Sequence, residues 1–323
     1  MSKNIGMKSF VKLSALCAAL AFSAGVMAHD HGAECKPSKW GKDDQIGNMN
    51  YVTPEKTLAA MKLVTKGKVY KLGIETNRAT PAYPPRNYSV TVVQPGQVNG
   101  VTFGDNKLSY NDDIVMGWNG VGSQIDGFGH IGTESVYYNC AKGEDFAKIT
   151  GLTKYGVETM PAIATKAIIL DIAGLMGVEF LPEGTPINVK EIEGAMKRQG
   201  IKSIEKGDIV ILHTGWLKVL ATDPKKFGSV EPGLSKGGAL YLVEKGVAAV
   251  GADTWGVEAV PFEKGVGVFE IHQILLQHNG IYILETMNVE PLVKDGAYEV
   301  FFTLGAARLT GAVQMIVNPV AIK

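Results

Sequence analysis

Four short apolar segments of this chain each end in a titratable residue, and this repeated pattern constrains the fold more than any other feature. Continuous apolar runs are typical of strands buried on both faces, and therefore of a parallel sheet covered by helices. The carboxyl ends of such strands share one edge, where ligands bind in α/β proteins. For Asp171 and Asp253, an ordinary charged residue where a strand meets water is as good an interpretation as a residue that binds a ligand. The four runs end at Asp171, His213, Asp253 and Glu285.

The segments between these runs carry helix signals, so strands and helices alternate along the chain. Capping residues and terminal glycines predict three helices, which extend from Thr53 to Gly67, from Asn188 to Gly200 and from Ser235 to Gly246. A further helix is predicted around His272; it stops near Asn279-Gly280 and leads directly into the strand that ends in Glu285. A helix followed at once by a strand can bring His272 and Glu285 to one place.

The first 28 residues have the pattern of a secretory signal peptide. Three lysines precede an apolar run that starts at Leu13, and Val26-Met27-Ala28 fits the small-residue cleavage rule. The run is shorter than the roughly 20 residues that a membrane-spanning helix needs. We therefore expect cleavage after Ala28 and a periplasmic or secreted protein that has no membrane attachment once the signal is removed.

The expected mature chain, residues 29–323, carries 29 basic and 32 acidic residues, since the signal contains three lysines and no acidic residue. This small net negative charge gives no support to nucleic-acid binding, which needs a clustered basic surface. No Ser/Gly/Pro-rich linker, internal repeat or second long apolar segment interrupts the sequence. One domain over residues 29–323 is the simplest prediction.

Two cysteines, Cys35 and Cys140, remain after signal removal. In an oxidising compartment they have one possible intramolecular pairing. Two separate buried thiols are the alternative, and the disulfide is the preferred interpretation.

The segment from Gly122 to His130 combines an amide, a carboxylate and an imidazole within a few positions. On an extended segment, Gln124 and Asp126 point to the same face, and the glycines after them let the chain bend so that His130 returns toward them. Oxygen donors beside an imidazole suit a divalent metal such as Zn or Mn with an activated water. The alternative is an ordinary turn, because Asp before Gly is common in hairpins.

Four motifs follow one another in order: Asp126-x-x-x-His130, Asp208-x-x-x-x-His213-Thr214-Gly215-Trp216, Gly251-Ala252-Asp253-Thr254-Trp255, and His272 followed by Gly280-Ile281 and Leu284-Glu285. Together they resemble the cyclase family of metal-dependent hydrolases, which includes kynurenine formamidases, isatin hydrolases and trans-dienelactone hydrolases. The likeness extends from about Trp40 to Pro319. It implies the swivelling β/β/α type of α/β fold, which has a mixed sheet or barrel-like core and flanking helices.

The chain departs from the family signature His-x-Gly-Thr-His-x-Asp-x-Pro-x-His at four places. Gly120 and Gln124 replace the first two histidines, Ser123 replaces the threonine and Phe128 replaces the proline. The Ser-Gln-x-Asp-Gly form resembles a longer-chain branch that includes the dienelactone hydrolases, in which Gln takes the ligand position. The loss of two imidazoles favours one metal ion per chain.

By position, the resemblance implies that Gln124, Asp126, His272 and Glu285 are metal ligands and that His130 donates and accepts protons. A role for His130 as a further ligand remains open. The expected activity is that of an exported, metal-dependent hydrolase that opens a cyclic amide or lactone, or cleaves a related carbonyl bond, of a small molecule. Family analogy alone implies a homo-oligomer.

Two other functions compete with this one. An arylformamidase, similar to kynurenine formamidase, is disfavoured by Gly120 and Gln124 and by export. A non-catalytic periplasmic binding protein has no need for a proton shuttle, so it is disfavoured by the retention of Asp126, His130, His272 and Glu285. Candidate substrate contacts are the strand-end residues His213 and Asp253 and several aromatic residues, although such aromatics more often belong to the core. The aromatic candidates are Tyr83, Trp118, Phe128, Tyr137 and Trp255.

Overall fold

The computed structural model describes residues 35–93 and 102–323. The predicted signal peptide, residues 1–28, lies outside the described residues. In the part of the chain that is described, no helix is both long and apolar enough to cross a bilayer.

The described residues contain fifteen strands, of which nine form one mixed sheet. The strands are β1 (Val69–Lys71), β2 (Tyr88–Val93), β3 (Asp112–Gly117), β4 (Gln124–Asp126), β5 (Ala147–Lys148), β6 (Gly151–Leu152), β7 (Ile163–Asp171), β8 (Pro186–Ile187), β9 (Ile209–His213), β10 (Gly233–Leu234), β11 (Ala249–Ala252), β12 (Tyr282–Glu285), β13 (Glu299–Leu304), β14 (Gln314–Ile316) and β15 (Val320–Ile322). The sheet has the order β1-β15-β13-β7-β9-β11-β12-β4-β14. The predicted α/β class is confirmed.

Within the two described ranges, nine helices connect and flank these strands: α1 (Pro54–Met61), α2 (Gly143–Phe146), α3 (Ile172–Met176), α4 (Val189–Gln199), α5 (Leu217–Thr222), α6 (Pro224–Phe227), α7 (Lys236–Lys245), α8 (Glu270–His272) and α9 (Glu290–Lys294). Short 3-10 segments occupy Gly47–Tyr51, Tyr138–Cys140 and Val157–Thr159, and a π-helical segment follows α8 at Gln273–Gln277.

The predicted capping signals explain where two of the helices begin and end. Asn188 forms the expected capping box with Glu191 at the start of α4, and Gly200 ends that helix in the left-handed region with φ 70°. Ser235 caps α7 in the same way. The prediction for α1 was too long, because the amides of Lys66 and Lys68 donate to the carbonyl of the C-terminal Lys323 instead of continuing a helix.

The four apolar runs form four adjacent parallel strands, β7, β9, β11 and β12. Every residue of the last three is buried, as expected for strands covered on both faces. Asp171 lies beside His213 in the register of β7 and β9. The predicted common edge of strand ends is therefore present.

Two antiparallel pairings bring further side chains to the end of β12. Gln124 of β4 lies opposite Glu285 of β12, so that β4 begins where β12 ends. On the other side of β4, Gln314 of β14 lies opposite Asp126. Residues from three distant parts of the chain thus meet at one corner of the sheet.

Strands β2 and β3 form a separate hairpin whose partners, among the described residues, are each other. Its apolar side chains are exposed, including Val115 at 60% and Met116 at 63%. The segments just before and after this hairpin, around Arg86 and Gly120, return to the body of the protein.

Cys35 and Cys140 are joined in a disulfide, with their Cα atoms 5.4 Å apart. The neighbouring Asn139 strengthens this attachment, since its side-chain amide donates to the carbonyls of Gly41 and Lys42. The N-terminal segment is thereby fixed to the region that follows His130.

Replacing both Cys35 and Cys140 with serine is expected to lower the free energy of unfolding by about 4.7 kcal/mol, because the bond closes a loop of about 100 residues in the unfolded chain. For a chain of this size, the melting temperature should fall by roughly 10 °C. Thermal unfolding with and without dithiothreitol provides the measurement. The reductant should lower the wild-type melting temperature to that of the variant and leave the variant unchanged. Two free thiols in the unreduced, denatured wild type would contradict the bond.

Candidate metal centre and active site

Three buried side chains, Asp126, His272 and Glu285, each present one ligand atom within 4.8 Å of the others. Asp126 Oδ2 lies 3.9 Å from His272 Nε2, which in turn lies 3.2 Å from Glu285 Oε1. Asp126 Oδ2 is buried without a hydrogen-bond partner in the described part of the chain. An unpartnered buried carboxylate oxygen that faces an imidazole nitrogen and a second carboxylate fits a divalent cation.

Gln124 lies within the same cluster. Its Nε2 donates to Asp126 Oδ1 at 3.0 Å and to Glu285 Oε2 at 2.7 Å. The amide nitrogen thus holds the two carboxylates together across the β4–β12 pair. The ligand role that the family resemblance implies would fall to the oxygen of this amide.

Glu258 orients the ring of His272. His272 Nδ1 lies 2.6 Å from Glu258 Oε1, which also accepts the backbone N–H of His272 at 3.2 Å. The contact at Nδ1 turns Nε2 toward the Asp126–Glu285 pair, as carboxylate partners of ligand histidines do. Burial opposes charge on this ring, but the hydrogen bonds with Glu258 and Glu285 raise the pKa of His272 to about 10.

Burial and a neighbouring carboxylate both oppose the ionisation of Glu285. Burial and the nearby charge of Asp126 raise the pKa of Glu285 to about 7, against the stabilising effect of His272. A bound cation would supply the positive charge that such a pair of buried carboxylates lacks.

His130 lies beside the cluster, because the N–H of His130 donates to the carbonyl of Gly127 and closes a turn. Its Nε2 is 4.0 Å from Asp126 Oδ2 and 3.4 Å from Gln314 Nε2. Burial lowers the pKa of His130 to about 4, and the charge of Asp126 offsets only part of this shift. The ring is therefore neutral at neutral pH, and its Nε2 can accept a proton.

The cluster forms the base of a pocket of about 270 Å³. Gln124, His130, His272 and Glu285 line it. Aromatic rings form a wall: Tyr83 and Trp255 lie nearly parallel with centroids 6.1 Å apart, and Phe269 meets both rings edge-on. The structure thus provides an apolar surface next to a polar, metal-binding base.

Of the predicted substrate contacts, the structure places Tyr83 and Trp255 on the pocket wall. It places Phe128 in the core, stacked on Tyr282 with centroids 4.2 Å apart. Trp118 is 45% exposed beyond the end of β3, and neither it nor Tyr137, which packs on Phe146, is among the residues that line the pocket.

His213 and Asp253 lie on the common edge of strand ends but are not among the residues that line the pocket. His213 Nδ1 is 2.8 Å from Asp171 Oδ1. Asp253 accepts the backbone N–H groups of Thr214 and Gly215, each at 2.8 Å. These residues hold the chain in place as it leaves β9.

Replacing His213 with glutamine should destabilise the protein by about 1–3 kcal/mol at pH 6 and by less at pH 9. Although burial disfavours the imidazolium, the hydrogen bond with Asp171 and the charges of Asp253, Asp171 and Glu290 raise the pKa of His213. A raised folded-state pKa contributes stability below the unfolded value of about 6.5, and this contribution is lost as the pH rises through the folded value. Urea unfolding at both pH values tests this expectation. An equal loss at both would contradict it.

Three residues of the site were missed in the sequence. Glu258 and Gln314 contact the cluster, and Arg86 lines the pocket. Gln314 opens a short apolar strand, which is a weak signal. Arg86 follows Pro84-Pro85 in an irregular segment, and no periodicity identifies it.

The model of the Cyclase family, described as "Putative cyclase", matches residues 39–259. The chain belongs to this family. The match confirms the resemblance and includes the segment from Gln124 to His130. His272, Glu285 and Gln314 lie beyond the matched range, so the structure is what connects them to the family motif.

Solved structures of the cyclase family share this fold. A crystal structure described as a novel cyclase is 28% identical, with a TM-score of 0.80; the match covers 88% of this chain and 98% of that one. Isatin hydrolase A from Ralstonia solanacearum is 16% identical, covering 84% and 98%, with a TM-score of 0.59. Isatin hydrolase A from Labrenzia aggregata, bound to benzyl benzoate, is 15% identical, covering 79% and 93%, with a TM-score of 0.57. No curated protein matches the chain.

Proposed function

We propose that this cyclase is an exported, metal-dependent hydrolase that opens a cyclic amide or lactone, or cleaves a related carbonyl bond. The observation that carries the proposal is Asp126 Oδ2, which has no hydrogen-bond partner in the described part of the chain and faces His272 and Glu285, two residues that line the pocket. Membership of the family and its fold relation to isatin hydrolases support this class of reaction. The signal-like N-terminus and the disulfide support export.

Asp126, His272 and Glu285 would hold one divalent ion, with Gln124 as the further predicted ligand. Mixed oxygen and nitrogen donors suit Zn or Mn. When bound, such an ion polarises a carbonyl group and lowers the pKa of a bound water from 15.7 to about 7.

The surroundings of Gly120 support a single ion. A Cβ atom built on Gly120 would lie 2.6 Å from Gln314 Oε1 and 2.7 Å from Arg86 Nη1. The space that the first signature histidine needs is therefore filled by the Gln314 amide and the Arg86 guanidinium. The positive charge of the guanidinium disfavours a second cation at this place.

His130 is the proton carrier of the proposed reaction. Its neutral Nε2 takes a proton from a water molecule, the water oxygen forms a bond to the carbonyl carbon, and the C–N or C–O bond breaks. His130 then returns the proton to the leaving nitrogen or oxygen, so that a carboxylic acid and an amine or alcohol result, and the acid releases its remaining proton to solvent at neutral pH. Gln314, which donates to Asp126 at 2.7 Å, keeps the carboxylate in place beside His130 during this exchange.

The pocket favours a small, flat substrate. Its volume of about 270 Å³ lies just below the usual range of small-molecule sites, and the aromatic rings of Tyr83, Trp255 and Phe269 line it. A compound of one or two fused rings fits both features. Gly120 and Gln124 continue to disfavour the arylformamidase alternative.

A hydrolysis screen on the exported, purified protein tests the proposal. We expect ring opening of isatin or of dihydrocoumarin, loss of activity after chelation and recovery with Zn or Mn. Elemental analysis should give about one ion per chain, and the intact mass should correspond to a start at His29. A preference for formanilide would instead indicate an arylformamidase. A folded, metal-loaded protein that binds these rings without turnover would indicate a binding protein.

A further inference from the structure

We propose that Arg86 is an anion-recognition group of the pocket and that the preferred substrate is a planar ring compound that carries a carboxylate. The hydrolysis of that compound rests on the proposed function. The recognition of the anion does not, and it can be measured without turnover.

Arg86 brings a positive charge to the pocket without a carboxylate at ion-pair distance in the described part of the chain. Its side chain lines the pocket, and Nη1 donates to the carbonyl of Gly120 at 3.2 Å. Among residues 35–93 and 102–323, it forms no ion pair with a carboxylate. A guanidinium has five N–H donors in a planar fork that matches a carboxylate, and the contact with Gly120 uses one of them.

The guanidinium lies next to the proposed reaction centre. Arg86 Nη1 and Gln314 Oε1 both lie within 2.7 Å of the point where a Gly120 Cβ would stand. The same Gln314 side chain donates to Asp126 Oδ1 at 2.7 Å. A carboxylate bound by Arg86 would therefore leave the rest of a small molecule over the metal-binding base.

Tyr83 of the aromatic wall and the cation Arg86 belong to one short segment. Tyr83 precedes Arg86 by three positions, and its ring lies nearly parallel to that of Trp255, at an interplanar angle of 26°. A flat ring can pack on this wall while an acid group attached to it reaches the guanidinium. The pocket thus combines the two elements that distinguish an aromatic acid from a neutral ring.

Calorimetric titration with benzoate and with its neutral analogue benzamide tests the recognition step. Because a charged hydrogen-bonded pair contributes strongly, we expect benzoate to bind at least about tenfold more tightly than benzamide. Arg86→Gln should remove this difference and leave benzamide affinity unchanged, and Arg86→Lys should restore part of it. The matched control is Arg78→Gln, since Arg78 is exposed and bonds the carbonyl of Val90.

The same titrations on chelated protein separate Arg86 from a metal as the receptor of the anion. Benzoate preference should persist after chelation and disappear in Arg86→Gln. If the preference instead survives Arg86→Gln and is lost on chelation, the anion binds to a metal and the proposal is overturned. An unchanged melting temperature of the variant excludes misfolding as the cause.

Turnover distinguishes this inference from the proposed function. With isatin and isatin-5-carboxylate as substrates, the wild type should favour the acid through a lower KM, and Arg86→Gln should raise KM for the acid at least about tenfold with little change in kcat. Equal KM values for the two substrates would contradict the role of Arg86 alone. Benzoate preference without hydrolysis of any ring would contradict the proposed function alone.

Discussion

Replacing Asp126 with alanine is expected to yield a folded protein that binds no metal and has no hydrolytic activity. Asp126 supplies a buried carboxylate oxygen that has no hydrogen-bond partner among the residues that the structure describes. Its loss removes a proposed ligand and half of the carboxylate charge that would neutralise a divalent ion. Elemental analysis and the ring-opening assay provide the measurements.

The control for this variant is Asp113→Ala, because Asp113 is exposed on the β2–β3 hairpin. It should keep both metal and activity. Since the amides of Gln124 and Gln314 both donate to Asp126, the melting temperature must be measured alongside. A full metal complement in a folded Asp126→Ala protein would refute the assignment of this cluster as the metal site.

Replacing His130 with alanine should have a different result: the metal stays bound and kcat falls by a factor of roughly 10²–10⁴, the usual contribution of a general base. His130 Nε2 lies 4.0 Å from Asp126 Oδ2 and outside the set of three close ligand atoms. Removing the ring therefore takes away the proton acceptor without taking away a ligand.

The comparison variant is His278→Ala, which changes a half-buried histidine outside this pocket and should leave kcat unchanged. If His130→Ala loses its metal together with its activity, His130 is a ligand. In that case another group must carry the proton.

The local patterns of the sequence were sufficient to predict the main strands and several helix ends. Continuous apolar runs report burial on both faces, and a capping box such as that of Asn188 and Glu191 reports a helix start, because both depend on near neighbours. The prediction that the four strands end at a common edge was correct. The four terminal residues do not, however, all line the same pocket. Adjacent strands lie about 4.8 Å apart, so four of them spread over roughly 14 Å. Glu285 reaches the pocket, whereas Asp171 and His213 bond to each other.

In the candidate site, local patterns likewise predicted some residues, whereas others depend on contacts between distant parts of the chain. The period-two alternation of a strand placed Gln124 and Asp126 on one face, and the glycines after them explain the return of His130. Gln314 and Arg86 could not be found in this way, because their positions depend on a strand pairing and on an irregular segment that no local rule encodes. Glu258 was hidden for the same reason, since its contact with His272 joins an irregular segment to the short helix α8.

The pairing of β4 with β12 and β14 also determines when the centre can form as the chain folds. Gln124 meets Glu285 across 161 positions of sequence, and Asp126 meets Gln314 across 188. Contacts of such long range form late and slowly, because the entropy of closing the intervening loops must be lost first. In small zinc domains the ion drives folding. Here the proposed ligands come together only when β4 has paired with β12 and β14, so capture of an ion would follow the assembly of this part of the sheet and report its completion.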